Sequence, residues 1–323
     1  MRGNCVKAVA FSIRGCDAAV CNGRGEYEYM SECVPKGHRS QCHRKQVAQQ
    51  VLVGERALFH EEGLEISHSI FQAGESPLKE SHDVNVRDTS FEWKYPLWYT
   101  KQAEVCGGDL LDTARSGIWY THGITMTDTL IAAPKTFRRS SDITLNHVAM
   151  PNAQESLWTC ERVALRDVQV NGDYFGMNSG NVKAERLRLN GNYAFDGGHD
   201  IEVRDSTLLS KDAFWNCENV TVRDSTIIGE YLGWNSKNLT FINCTIESLQ
   251  GLCYIDNLVM RGCRLINTTL AFEYSTVDAE IEGSIDSVMN PASGRIQCES
   301  IDELIMEPNR IDPSRTTIIT QQH

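Results

Sequence analysis

Five stretches of the second half align without a gap: NVKAERLRL (Asn181–Leu189), DIEVRDSTL (Asp200–Leu208), NVTVRDSTI (Asn219–Ile227), NLTFINCTI (Asn238–Ile246) and NLVMRGCRL (Asn257–Leu265). Each begins nineteen residues after the last. The first position reads Asn, Asp, Asn, Asn, Asn, and two positions are apolar almost throughout, beginning Val182, Ile201, Val220, Leu239, Leu258. A fixed period of this size means stacked structural repeats.

The phase runs backwards through Val163, Ile143, Ile124, Val105, Val84 and Leu64 with slips of one or two residues. Forwards it loosens near Ala279 and fades by Leu304, which gives about eleven or twelve units over residues 63–306. Val220-Thr221-Val222 and Leu239-Thr240-Phe241 alternate with the two-residue period of a strand. Asn, Asp, Gly and Ser mark the corners, as in Asn216-Cys217-Glu218-Asn219. Nineteen residues cannot hold two helices with their turns, and the leucine-rich signature is absent. The pattern predicts an all-β, single-stranded parallel β-helix with one coil per repeat. Left-handed versions show hexapeptide units that this chain lacks, so a right-handed solenoid is expected. Equivalent corner residues then lie about 4.8 Å apart, and the Asn column becomes a ladder of side-chain amides.

The chain has 323 residues and a net charge of −12, which argues against a nucleic-acid partner. No apolar run reaches eighteen residues, so no membrane-spanning helix is expected. The N-terminus lacks a secretory pattern, because Arg14 follows the apolar Val6–Ile13 run without a small-residue cleavage site. A cytoplasmic protein is expected. Residues 1–45 carry eight Lys or Arg against four acids, and five of the twelve cysteines (Cys5, Cys16, Cys21, Cys33, Cys42). Three regions follow: a basic, Cys-rich leader over 1–50, read as disordered or a start-site artefact; the β-helix over 51–310; and a tail over 311–323. Cys33, His38, Cys42 and His43 match no zinc-ligand spacing, and no metal or other cofactor is expected. Cys244 and Cys263, one period apart, read as buried free thiols.

The repeat separates scaffold from candidate chemistry. Arg87-Asp88, Arg166-Asp167, Arg204-Asp205 and Arg223-Asp224 recur at the period and belong to an outward strand face. Fourteen residues after each unit's first apolar position stand Trp98, Trp119, Arg138, Leu157, Met177, Asp196, Trp215 and Trp234. Ten residues after it stand Asp173, Asn192, Lys211 and Glu230, with Tyr174, Tyr193, Asp212 and Tyr231 beside them. Aromatic faces interleaved with carboxylates and cations suit a saccharide. Asp196, Asp212 and Glu230 are the candidate catalytic carboxylates, as the pairs Asp196/Asp212 and Asp212/Glu230, with separations open to either retaining or inverting hydrolysis. Trp98, Trp119, Arg138, Asp173, Tyr193, Lys211, Trp215, Tyr231 and Trp234 are candidate substrate-binding residues. The competing reading makes the same aromatics core packing and the acidic face a solvated ion-pair ladder, in a non-catalytic scaffold whose oligomeric state the sequence leaves open. His199, in Asp196-Gly197-Gly198-His199-Asp200, is a further acid–base candidate at a corner.

Eight runs carry a resemblance: GERALF (Gly54–Phe59), GESPLKES (Gly74–Ser81), FEWKYPLWY (Phe91–Tyr99), ARSGIWYT (Ala114–Thr121), SKDAFWNC (Ser210–Cys217), GEYLGWNS (Gly229–Ser236), QGLCYIDNL (Gln250–Leu258) and LAFEYS (Leu270–Ser275). Over residues 52–296 the chain resembles an uncharacterised, largely bacterial family, the domain of unknown function 3737. The resemblance implies a pectin-lyase-like right-handed β-helix and assigns no activity or catalytic residue.

Overall fold

In the computed structural model, residues 19–21, 27–29 and 44–321 are described. Two compact units divide the chain at Gln41 and Cys42. In the first, Ala19–Cys21 and Tyr27–Tyr29 form a two-stranded antiparallel pair. Cys33, His38, Cys42 and His43, for which no zinc site is expected, lie outside the described residues.

The second unit is a parallel β-solenoid of about fifteen coils, and among the described residues no helix is long and apolar enough to cross a membrane. Most coils contribute a six-residue strand to one ladder, such as Gly180–Glu185, His199–Arg204 and Glu218–Arg223, and a shorter strand to a second, such as Arg188–Asn190 and Thr207–Leu209. Val182, Ile201, Val220, Leu239 and Leu258 pair in register, so the nineteen-residue phase is the strand register itself. Their side chains are buried at no more than 1 % exposure, in one core that runs the length of the stack.

Two phase details differ from the sequence reading. Ala103, not Val105, pairs with Val84 and Ile124, while Val105 pairs with Val86 and Met126. A two-residue shift preserves the inward face of a strand, so both choices read as buried apolar positions. The coil count exceeds the expected eleven or twelve because pairing starts at Lys45 and reaches Thr320. Near the end the spacing changes: Val277 pairs with Gly294, and Gly294 with Thr316. The period disappears from the sequence there while the hydrogen-bonded stack continues.

The Asn column forms the expected ladder. Asn219 donates to Asp200, Asn238 to Asn219 and Asn257 to Asn238, each at 2.9 Å. The Arg-Asp pairs lie on the scaffold: Arg204 bonds Glu185 of the preceding coil at 2.6 Å, and Asp205 turns the corner with φ 52°.

A second internal column of small polar residues occupies one corner of many coils, interrupted at Gly198 and Ile255. Ser179 and Ser236 are buried, and their hydroxyls donate to the carbonyls of Leu157 and Phe214 at 2.6 and 2.7 Å. Cys160 and Cys217 stand in the same column, with Sγ donating to Phe137 and Phe195 carbonyls. Burial pushes both thiols up to about 12. Cys244 and Cys263 are buried free thiols as expected.

Candidate functional site

Between the short strand of one coil and the long strand of the next, the chain alternates left-handed and other conformations. In the run Asp173–Ser179, Tyr174, Gly176 and Asn178 have φ 59°, 78° and 53°. Such residues cost about 1–2 kcal/mol each when not glycine. Stacking offsets this by giving each backbone N–H a partner: Tyr174 donates to Asn192 and Asn178 to Asp196, both at 2.8 Å. This turn surface carries the predicted columns.

One correction applies to the main column. Backbone bridges join Trp119 to Arg138 and Arg138 to Trp158, so Trp158 takes the place read as Leu157, which is buried. A one-residue insertion in that coil is the cause. Trp98, Trp119, Arg138, Trp158, Met177, Asp196, Trp215 and Trp234 then line one edge, all half-buried. The phenylalanines of the same turns behave differently: Phe175, Phe195 and Phe214 are fully buried. The core-packing reading holds for these Phe residues, whereas the Trp and Tyr residues reach the surface.

How the rings stand decides what they offer. Trp98 and Trp119 stack with centroids 5.3 Å apart and planes 9° from parallel. Arg138 lies between Trp119 and Trp158, its guanidinium carbon 4.8 Å from each ring centroid, and bonds Glu155 at 3.2 Å. Tyr174 and Tyr193 stack at 4.7 Å and 3°. Rings stacked this way spend their faces on each other and show solvent their edges. The indole N–H groups of Trp98, Trp119 and Trp215 are also engaged, donating to carbonyls of Ser116, Lys135 and Tyr231 on the next coil.

The stack breaks at Asp212. In its column the residues read Tyr174, Tyr193, Asp212, Tyr231, so Asp212 occupies a tyrosine position. Beyond Tyr193 the ring planes turn: Tyr193 meets Trp215 at 84°, Trp215 meets Trp234 at 34° with 6.3 Å between centroids, and Tyr231 meets Trp234 at 84°. The parallel stacking seen from Tyr174 to Tyr193 is therefore lost at this interruption.

Asp212 is 2 % exposed. Burial raises its carboxyl above the ordinary value; the charge of Lys211 and the Tyr193 hydroxyl, which donates to it, oppose the rise, and Glu230 and Asp196 add to it. The Tyr193 phenol is itself raised, chiefly by the charge of Asp212. Lys211 bonds Glu230 at 3.1 Å, which raises its ammonium, and sits 5.3 Å from the Tyr231 ring centroid. Asp196 is half-buried and accepts a bond from Asn216 Nδ2 at 3.0 Å. The three candidate carboxylates thus form one electrostatic cluster around Asp212. Asp173 stands apart from it. Its carboxylate accepts the backbone N–H of Asn192 at 2.7 Å and serves the turn.

His199 is an inter-coil bridge. Its Nε2 lies 3.3 Å from Glu161 and its Nδ1 3.0 Å from Asp200, and these carboxylates raise its imidazole, the bond to Asp200 most.

The sequence reading missed Glu273. Its carbonyl accepts from the Tyr254 N–H, which places it in the Trp column beyond Trp234. It is 6 % exposed and receives a bond from Gln250 at 3.4 Å. The recurring tyrosines Tyr254 and Tyr274 beside it were the available signal.

A family described as "Protein of unknown function (DUF3737)" matches residues 45–319. No curated protein matches the chain. Among solved structures it is similar to PfbA, a surface adhesin of Streptococcus pneumoniae, at 7 % identity over 81 % of each chain with a TM-score of 0.37. It is also similar to tailspike protein gp49 from Acinetobacter baumannii bacteriophage Fri1, a capsular polysaccharide depolymerase, at 10 % identity over 75 % of this chain and 63 % of that one, TM-score 0.39. A mutant tailspike protein of an E. coli bacteriophage gives 8 % identity, 85 % and 73 % coverage and TM-score 0.42.

Proposed function

The chain belongs to the family described as Protein of unknown function (DUF3737), and from that premise we propose that it binds an oligo- or polysaccharide along the turn surface around Asp212 and hydrolyses a glycosidic bond there. One observation carries the reading: the parallel aromatic stack is interrupted at a buried carboxyl whose proton is held more tightly than usual, and the rings of Trp215, Trp234 and Tyr231 beside it turn out of parallel. A pyranose needs a ring face to stack on, and a leaving glycosidic oxygen needs a protonated acid. In this reading Asp212 gives its proton to that oxygen. The Asp196 carboxylate, on the adjacent coil, attacks the anomeric carbon or deprotonates the water that does. Tyr193 fixes the Asp212 carboxyl, and the Lys211–Glu230 pair contacts sugar hydroxyls.

A glycan array followed by turnover assays on any bound glycan tests this. Wild-type protein is expected to bind and cleave, Asp212→Asn to bind without cleaving, and Trp215→Ala to lose binding. A binding profile that is empty for wild-type protein overturns the proposal.

A second reading, a non-catalytic scaffold, is favoured by the face-to-face stacking from Trp98 to Tyr193 and by the indole N–H groups bonded to the next coil. In it the aromatics only fasten coils together, and Trp215→Ala lowers stability without affecting any glycan.

A further inference from the structure

We propose that a concavity at the other end of this surface is an oxoanion-binding site built from His82, Lys101 and His122, separate from Asp212. The three residues open consecutive long strands and are paired in register, His82 with Lys101 and Lys101 with His122. Adjacent strands place them about 4.8 Å apart.

Like charges facing each other across a ladder destabilise it. Elsewhere in the same column opposite charges meet: Lys237 bonds Glu218 at 3.6 Å, and His199 reaches Glu161. Here three basic side chains follow one another in a chain of net charge −12. The nearby acids are committed to other cations. Asp83 bonds Arg44 at 2.8 Å, Glu61 bonds Lys45, and Glu80 lies 3.6 Å from Lys79 and 4.0 Å from His60. Glu62 precedes His82 in register, and among the described residues no ion pair joins them.

Shape and hydrogen bonding agree with the charge. The residues line an open concavity of about 550 Å³, walled by Tyr99 and Tyr120, whose rings stack at 4.8 Å and 10°; His60 and Glu80 also line it, with Glu80 3.6 Å from Lys79. His82 Nδ1 is shielded from solvent and has no hydrogen-bond partner. The Ser141 hydroxyl donates to Asp142 and accepts from His122 Nδ1, each at 2.8 Å, so His122 Nε2 carries a proton for a ligand only when the ring is an imidazolium. His82 can offer an N–H, His122 one when protonated, and Lys101 an ammonium, a donor set that an oxoanion satisfies. Phosphate and a sugar-borne carboxylate share that chemistry.

Calorimetric titration at low salt with inorganic phosphate and with glucuronate, as separate arms, distinguishes the two sources. At least one ligand is expected to bind wild-type protein, and Lys101→Gln to weaken it tenfold or more. Lys101 is exposed, so folding is expected to survive, and a thermal melt verifies it. Phosphate and glucuronate binding alike means a bare anion site; glucuronate alone means an acidic sugar. Asp212→Asn is expected to leave the affinity unchanged, so failure of the hydrolase reading does not touch this site. The proposal is overturned if neither ligand binds, or if the affinity survives both Lys101→Gln and His82→Gln.

Discussion

Asn238 donates its side-chain amide to Oδ1 of Asn219 across 2.9 Å, and both residues hold a left-handed backbone, φ 55° and 60°. The ladder and the conformation are separable. Asn219→Gly keeps the backbone free to turn but removes two ladder bonds, with a net cost of about 1–2 kcal/mol. Asn219→Ala removes the same bonds and adds left-handed strain of about 1–2 kcal/mol. Urea unfolding should rank wild type above Gly above Ala. Equal stability for the two variants would mean that asparagine is there for its amide alone.

What could be read in advance follows the period. The Asn ladder, the Arg-Asp scaffold and the buried apolar columns recur, and they appear in the structure as read. Ala103 and Trp158 were misplaced because insertions in the early coils shift the count without changing which face is apolar. The internal Ser, Thr and Cys column was not recognised, since small polar residues at corners look like ordinary turn residues. Ring orientation was also out of reach: a Trp column reads the same whether its faces are stacked, as at Trp98, or turned, as at Trp215. Nor does an Asp in a Tyr column show from sequence that it is 2 % exposed.

Asp212 should be a liability to the fold. Its folded-state carboxyl is raised by burial. A group raised in this way contributes stability below its ordinary value of 3.8, and that stability is lost as pH rises through the folded value. Above that folded value the buried charge opposes folding. Asp212→Asn is therefore expected to melt at the same temperature as wild type or higher at pH 7, while any glycosidase activity falls by two orders of magnitude or more. A clear drop in melting temperature would show that the ionised carboxylate is structural.

His199 loses its contribution in the same direction, but across neutral pH. Its imidazole is raised above 6.5 by Asp200 and Glu161. The bridge is fully present below pH 6.5 and weakens as pH rises through the folded value. The side chain is partly exposed, so the effect is modest and should shrink in salt. Melting curves between pH 5 and 9 for wild type and His199→Gln are expected to converge at the alkaline end. Gly180→Ala should act like His199→Gln, because a Cβ there would overlap the imidazole. If the two wild-type and variant curves run parallel, His199 is not the titrating bridge.

The internal corner column gives the sharpest test of the stack, because one position accepts two chemistries. Cys217 Sγ donates to the Phe195 carbonyl at 3.0 Å, and Ser236 Oγ, one coil on, donates to Phe214 at 2.7 Å. Ser236 also accepts the backbone N–H of Cys217 at 2.9 Å. Cys217→Ser places a hydroxyl where the next coil already holds one at Ser236, so it is expected to change stability by less than about 1 kcal/mol. Ser236→Ala should be worse, since it strands the buried Cys217 N–H and the Phe214 carbonyl together, at about 1–3 kcal/mol for each unsatisfied group. Chemical denaturation of the two single variants measures the difference, and amide exchange at Cys217 locates it. If Ser236→Ala is as well tolerated as Cys217→Ser, the column fills space and does not satisfy the backbone.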